Sequence, residues 1–384
     1  MKRLIIHLSI IFMFSTIAVS AQKRTAGSMR WKIAAELPAA DAQQKAPGVA
    51  GPVTGIHNKI LMVGGGSNFP DSMPWLGGKK KYYSDLYIFI LKKDTTVLLK
   101  KTFQLPEAIA YPACCSTSYG VVYAGGENKN GLSNNAYLLR WNSVSYSVIV
   151  DQLPHLPVAL TNASAAANNN MVFVAGGESA SATVNSFFCI NMDRIEEGWK
   201  NLPAIPVPVS HSVLVAQSNG RGNSIFLFGG RKKNVNGISD LYNTVYEYDL
   251  EKNSWKQKRS MPYSLCAGTG MISGNHDVLL FGGDKGTTFH KVEILIAAIS
   301  AEKDIIKKEA LVQQKKILQS THPGFSKEIL LYNTIKNGWE KAGSIPFEVP
   351  VTTTAIKFGK SVFIAAGEVR AGVRTPQVLQ GDNF

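Results

Sequence analysis

Short apolar runs broken by polar turns fill this chain, and six of the runs end alike. The endings are Val63-Gly64-Gly65, Ala124-Gly125-Gly126, Ala175-Gly176-Gly177, Phe228-Gly229-Gly230, Phe281-Gly282-Gly283 and Ala365-Ala366-Gly367. Each is partnered by an aliphatic-Pro pair: Leu37-Pro38, Leu105-Pro106, Leu153-Pro154, Leu202-Pro203, Met261-Pro262 and Ile345-Pro346. Within one unit the pattern reads Ser210 to Val215, a turn at Ser218-Asn219-Gly220, Ser224 to Phe228, the glycine pair, a polar loop, Thr244 to Tyr248, and Asn253-Ser254-Trp255 before Met261-Pro262. Period-2 runs separated by turn residues predict a four-stranded antiparallel meander. A sheet with two apolar faces must pack against neighbours, so six such units predict a closed ring.

A repeat of roughly 50 residues with paired glycines after a strand is the kelch signature. The expected fold is therefore an all-β, six-bladed kelch-type β-propeller. Trp31, Trp141, Trp199, Trp255 and Trp339 are read as fourth-strand residues filling space between blades, with Phe103 in that role in the first repeat and Trp75 in a loop. The ends complement each other. Trp31 to Pro38 resembles a fourth strand without a first three, and Arg374 to Leu379 a third strand without a fourth, so the N-terminal strand is expected to close the last blade. The fifth repeat is too long. Ser300 to Gln319 carries helix formers, with Ile306, Ala310 and Ile317 on one face, and predicts a helical insertion over about 294–322.

Composition narrows the setting. In Met1 to Gln22, Lys2 and Arg3 precede an apolar stretch and Val19-Ser20-Ala21, the pattern of a signal peptide over 1–21 ahead of a propeller over 22–384. The apolar stretch is short for a bilayer span. The expected location is the periplasm, without membrane insertion after cleavage. Four cysteines, two of them adjacent, lie in apolar runs rather than at framework spacing and read as buried free thiols. Formal charge is +14, or +12 without Lys2 and Arg3. Such a surface favours anions, and export argues against nucleic acid.

Candidate chemistry gathers where the loops converge. The loops after the glycine pairs bring Ser67, Asn68, Phe69, Glu127, Glu178, Arg231, Asp284, Glu368 and Arg374 to one rim, and the inner-strand starts add Tyr111, Asn162, His211 and Thr352. Asn68, Phe69, Tyr111, Glu178, His211 and Arg231 are the candidate substrate-binding residues. Glu368 can move a proton and Arg374 can hold a carboxylate, which together suit an anionic sugar; an ordinary salt bridge would account for the pair as well. There is no spaced Cys/His cluster and no phosphate loop, so neither metal nor cofactor is expected.

The segment GEVRAGVRTPQV, Gly367 to Val378, closely resembles the motif of the bacterial sialic acid mutarotases, the N-acetylneuraminate epimerases. Gly64 to Phe89, Phe228 to Trp255 and the helix-bearing insertion agree with the same family. In its familiar members the blade with the Gly-Glu motif lies mid-chain and the Lys-rich, Tyr-containing loop follows it. Here the first is C-terminal and the second N-terminal, so the chain looks cyclically permuted. The resemblance implies a cofactor-independent isomerase that interconverts the α and β anomers of N-acetylneuraminate or a related acidic sugar, with Glu368 as proton acceptor and Arg374 on the substrate carboxylate. Because kelch propellers serve many ends, a non-catalytic glycan-binding or envelope-interaction propeller is the alternative, and a copper oxidase a third.

Overall fold

A computed structural model describes residues 29–39, 46, 48–92 and 95–382; the expected signal peptide lies outside them. Six antiparallel blades form the ring, each running outward from an inner first strand; five are four-stranded, and the first carries two further short strands, Lys81–Tyr82 and Phe103–Gln104. The inner strands are Ala50–His57, Ala113–Ser116, Ser164–Asn168, Val213–Ser218, Thr269–Ser273 and Ala355–Phe358, for blades one to six. Blade six takes its outermost strand, Arg30–Glu36, from the chain start, paired antiparallel with Gln377–Asp382. The closure expected from the sequence is therefore present. The third strand of that blade begins at Gln377 rather than Arg374, which sits in a small ribbon above it.

Apolar side chains form six clusters, one per interface between neighbouring blades. Leu61, Phe89 and Phe363 meet between blades one and six, and Phe226, Phe228 and Tyr332 between four and five. The indoles also tie blades together. Trp199 Nε1 donates to the Pro154 carbonyl at 2.8 Å, Trp255 to Pro203 at 2.9 Å and Trp339 to Arg259 at 3.1 Å, each reaching the preceding blade. Trp141 departs from the expected register. It lies on the third strand of blade two, Ala136–Asn142, where alternation buries it in the interface with blade one.

The glycine pairs have a steric cause. The first member of each is left-handed, and there the backbone touches the next blade: a Cβ on Gly125 would lie 2.4 Å from the Leu160 carbonyl oxygen, and one on Gly176 2.1 Å from that of Val209. In blade one the equivalent pair is Gly65-Gly66, one residue later than the sequence suggests. The second glycine then donates across the interface, as in Gly126 to Leu160 and Gly367 to Val49.

Nearer the axis, six residues with positive φ close a continuous circle. Gly51 donates its N–H to Thr352, Thr352 to Ala267, Ala267 to His211, His211 to Asn162, Asn162 to Tyr111 and Tyr111 to Gly51, all at 2.8–3.0 Å. Each blade contributes one donor and one acceptor.

The insertion in blade five is two helices, not one: α1, Thr287–Ala301, and α2, Ile305–Ser320. Asp304 caps α2 by accepting from the N–H groups of Ile306 and Lys307. The first helix escapes sequence reading because Val292, Ile294 and Ile296 alternate as a strand would. The face expected to pack is outward, with Ile306 81% and Ile317 61% exposed and Ala310 exposed beside them. Instead α1 is fixed to the blade-four loop. Buried Glu293 accepts from the Ser239 N–H at 2.9 Å and hydroxyl at 2.7 Å, and His290 Nε2 meets the Ser239 carbonyl at 2.9 Å.

All four cysteines are buried and unpaired. Burial pushes the Cys114 and Cys266 thiols up to about 12, which leaves them protonated and unreactive at neutral pH. No helix among the described residues is long and apolar enough to cross a membrane.

Candidate functional site

The residue after each glycine pair pairs with the residue preceding a member of the axial circle. Ala50 pairs with Ser67, Ala110 with Glu127, Thr161 with Glu178, Ser210 with Arg231, Cys266 with Asp284 and Val351 with Glu368. These six positions are structurally equivalent and ring the mouth of the channel. Four carry carboxylates and one a guanidinium. Tyr111, Asn162, His211 and Thr352 line the channel below, in a cavity whose non-atom space, open solvent included, is ≈ 660 Å³.

Glu368 and Arg374 face each other across a short ribbon, Glu368–Arg370 with Val373–Arg374. Gly372 makes the turn at φ 72°, and its N–H donates to Glu368 Oε1 at 2.9 Å. A Cβ there would press on Trp75 and Pro74, so the loop of blade one is seated against the turn. Arg374 Nη2 lies 3.2 Å from Glu368 Oε2, with the arginine side chain 6% and the glutamate 20% exposed. Phe69 covers the guanidinium at 5.0 Å. The Nε and Nη1 donors of Arg374 are buried and, among the described residues, have no hydrogen-bond partner. Burial raises the Glu368 carboxyl above its ordinary range, with the Arg374 charge, the Gly372 N–H and Lys80 pulling the other way.

Beside this pair, blade one sends Lys80 and Tyr82 to Glu127, at 2.8 and 2.9 Å. Lys80 also stands 5.2 Å from the Tyr111 ring, and the Tyr111 hydroxyl accepts from Ser67 at 3.2 Å. Burial works against the Lys80 charge, yet Tyr111 and Glu127 hold its pKa above the usual lysine value. Burial lifts Tyr82 to about 12. Both are therefore fixed donors at neutral pH.

A second cluster occupies blades three and four. Glu178 Oε1 accepts from Ser210 at 2.9 Å and from Arg231 Nη2 at 3.1 Å, and it lies 3.6 Å from His211 Nδ1. Phe289 of α1 covers the Arg231 guanidinium at 5.1 Å. His211 is held well below its ordinary value by burial and by Arg231, so the ring is neutral.

The candidate residues thus fall into three groups. Phe69 joins Glu368 and Arg374, and Tyr111 the Lys80 group beside them; Glu178, His211 and Arg231 form the second cluster; Asn68 joins none of these. Asn68 is 2% exposed, donates to the Gly48 carbonyl at 3.0 Å and accepts from Tyr83 at 2.7 Å, so its amide is consumed in holding the loop. Lys80, Tyr82, Ser210 and Phe289 were not named as site residues from the sequence. The Lys79-Lys80-Lys81-Tyr82-Tyr83 run was the visible sign of the first two, whereas Phe289 lies in an unforeseen helix. Among the described residues there is no group of His, Cys, Asp and Glu that could hold a metal ion.

The family profile of N-acetylneuraminate epimerase matches residues 153–383. The N-acetylneuraminate epimerase of Salmonella paratyphi B is 26% identical over 240 residues, covering 62% of this chain and 60% of that protein. The protein of the same name from Haemophilus influenzae is 25% identical over 238 residues, 62% of this chain and 61% of its own length. That from Salmonella arizonae is 27% identical over 240 residues, with 62% and 60% covered. The chain thus matches about three-fifths of the length of these curated relatives. The profile match extends over more than half of the sequence, and on that ground the chain belongs to the N-acetylneuraminate epimerase family.

Proposed function

We propose that this protein is a cofactor-independent mutarotase that interconverts the α and β anomers of N-acetylneuraminate or a related acidic sugar. One observation carries the reading: a guanidinium almost wholly withdrawn from solvent keeps two donors unpaired while a third touches a carboxylate of raised pKa. Unpaired buried donors are costly, and a substrate carboxylate that accepts from them removes that cost. In a 2-ulosonic acid the carboxylate is bonded to the anomeric carbon itself. Holding one therefore sets the anomeric hydroxyl beside Glu368, which a 3.2 Å separation of the two side chains suits.

Glu368 takes the proton of that hydroxyl and gives it to the ring oxygen as the bond from the anomeric carbon to that oxygen breaks; once the carbonyl has turned its other face, it takes the proton back from that oxygen and gives it to the carbonyl oxygen as the ring closes. A carboxyl raised towards neutrality is fitted to both steps. The family names of the relatives support this chemistry, and the signal-like N-terminus supports a periplasmic setting. A permuted blade order also accounts for a colinear match that begins only at residue 153.

Proton NMR of freshly dissolved α-N-acetylneuraminate tests the reading. Wild type is expected to speed anomer equilibration, and Glu368→Gln to abolish the acceleration while still binding the sugar. No acceleration by wild type at high concentration would remove the assignment; saturable binding alone would leave a glycan-binding propeller.

A further inference from the structure

Resting on that reading, we infer that the cluster of Glu178, Ser210, His211 and Arg231 binds the polyhydroxyl tail of the substrate and makes the site selective for nine-carbon over shorter ulosonic acids. Position carries the first part of the argument. Glu178 belongs to blade three and Glu368 to blade six, so the two stand directly opposite in a six-membered ring. Members of the axial circle are joined by single backbone hydrogen bonds, which sets neighbouring Cα atoms about 5 Å apart and opposite members about 10 Å apart, and the two glutamates pair with residues next to opposite members, just outside that width. A nine-carbon acid bound by its carboxylate extends roughly the width of the circle by ordinary bond lengths, which brings its tail towards the side chains of the far cluster. A seven-carbon acid stops short.

Chemistry carries the second part. The Ser210, Arg231 and His211 contacts all fall on Glu178 Oε1, and among the described residues Oε2 takes none. His211 engages Ser210 and Arg231 through Nδ1, at 3.0 and 3.4 Å. With Nδ1 engaged by these neighbours, Nε2 is the ring nitrogen left for a ligand, and His211 lines the channel. A free carboxylate oxygen beside an open ring nitrogen offers hydrogen-bonding partners to two adjacent hydroxyls. Phe289 from α1 keeps the Arg231 fork in place, so the insertion takes part in recognition.

The test compares N-acetylneuraminate with its seven-carbon analogue, made by periodate cleavage and reduction of the tail. Mutarotation is measured by NMR and binding by calorimetry, on wild type, Glu178→Ala and Glu178→Gln, with thermal melting as the check on folding. The expected result is a wild-type preference for the longer acid in kcat/KM that falls about tenfold in Glu178→Ala, mostly through KM, and less in Glu178→Gln, which keeps an acceptor. Wild type showing no preference, or a preference unchanged in Glu178→Ala, would overturn the inference while leaving mutarotase activity standing. If wild type turns over neither acid, the mutarotase reading falls; the same ratio taken from the two dissociation constants then decides the tail site.

Discussion

Glu368 is subject to opposed influences, and their balance sets how the protein answers to pH. Burial raises its carboxyl, and Arg374 partly offsets that. A raised carboxyl favours the protonated form in the folded state. Its contribution to stability is therefore full below the ordinary carboxylate range and is lost as pH rises through the folded value. The proposed activity runs in the other sense, because a general base at Glu368 must be ionised. The acid limb of the kcat/KM profile is expected above the usual range for a glutamate. In Arg374→Gln the offsetting charge is gone, so the limb should move to still higher pH while KM rises about 100-fold; a limb that stays put would mean that another group titrates. At this scale the sequence made the rim positions legible, because each follows a glycine pair. It could not show which partners they meet. Lys80 reaches Glu127 from another blade and Phe289 reaches Arg231 from an insertion, and neither contact leaves a local pattern.

Elements show the same division between local pattern and tertiary contact. The five glycine pairs and the Ala366-Gly367 doublet were plain in the sequence, yet their cause is a neighbour's backbone. Gly176 and Gly274 separate the two components. Both are left-handed, but a Cβ on Gly176 meets the Val209 oxygen at 2.1 Å whereas one on Gly274 meets nothing within 4 Å. Gly274→Ala is expected to cost about 1 kcal/mol of backbone strain, and Gly176→Ala at least about 3 kcal/mol, compared by urea midpoints at constant m. Equal costs would show that the blades separate easily at this contact. The helical hairpin was legible only in its second half, where Asp304 caps and lysines accumulate. Its first half is alternating and β-branched, and is held helical by the Glu293–Ser239 contact rather than by its own pattern. The outward apolar residues of α2 show why: the tie to the ring is made by α1.

For the whole molecule, closure by the N-terminal strand is the decisive long-range contact. Trp31 on that strand packs edge-on against Phe281 of blade five and over Gly381 of blade six, so one side chain joins the chain start to two blades. Trp31→Ala is expected to cost about 3 kcal/mol and to show as a lowered thermal midpoint; an unchanged midpoint would mean that the closing strand adds little. The ring itself was readable from six repeats and two incomplete ends. Its axial circle was not, because no residue type marks it: Gly51, Tyr111, Asn162, His211, Ala267 and Thr352 share a backbone conformation but no chemistry.

That circle has no first member. At the axis the peptide groups treat all six blades alike, and the difference between the proposed catalytic pole and the proposed recognition pole is written wholly in side chains mounted on equivalent sockets. Function in such a molecule can migrate around the mouth, one socket at a time, without the frame registering the move.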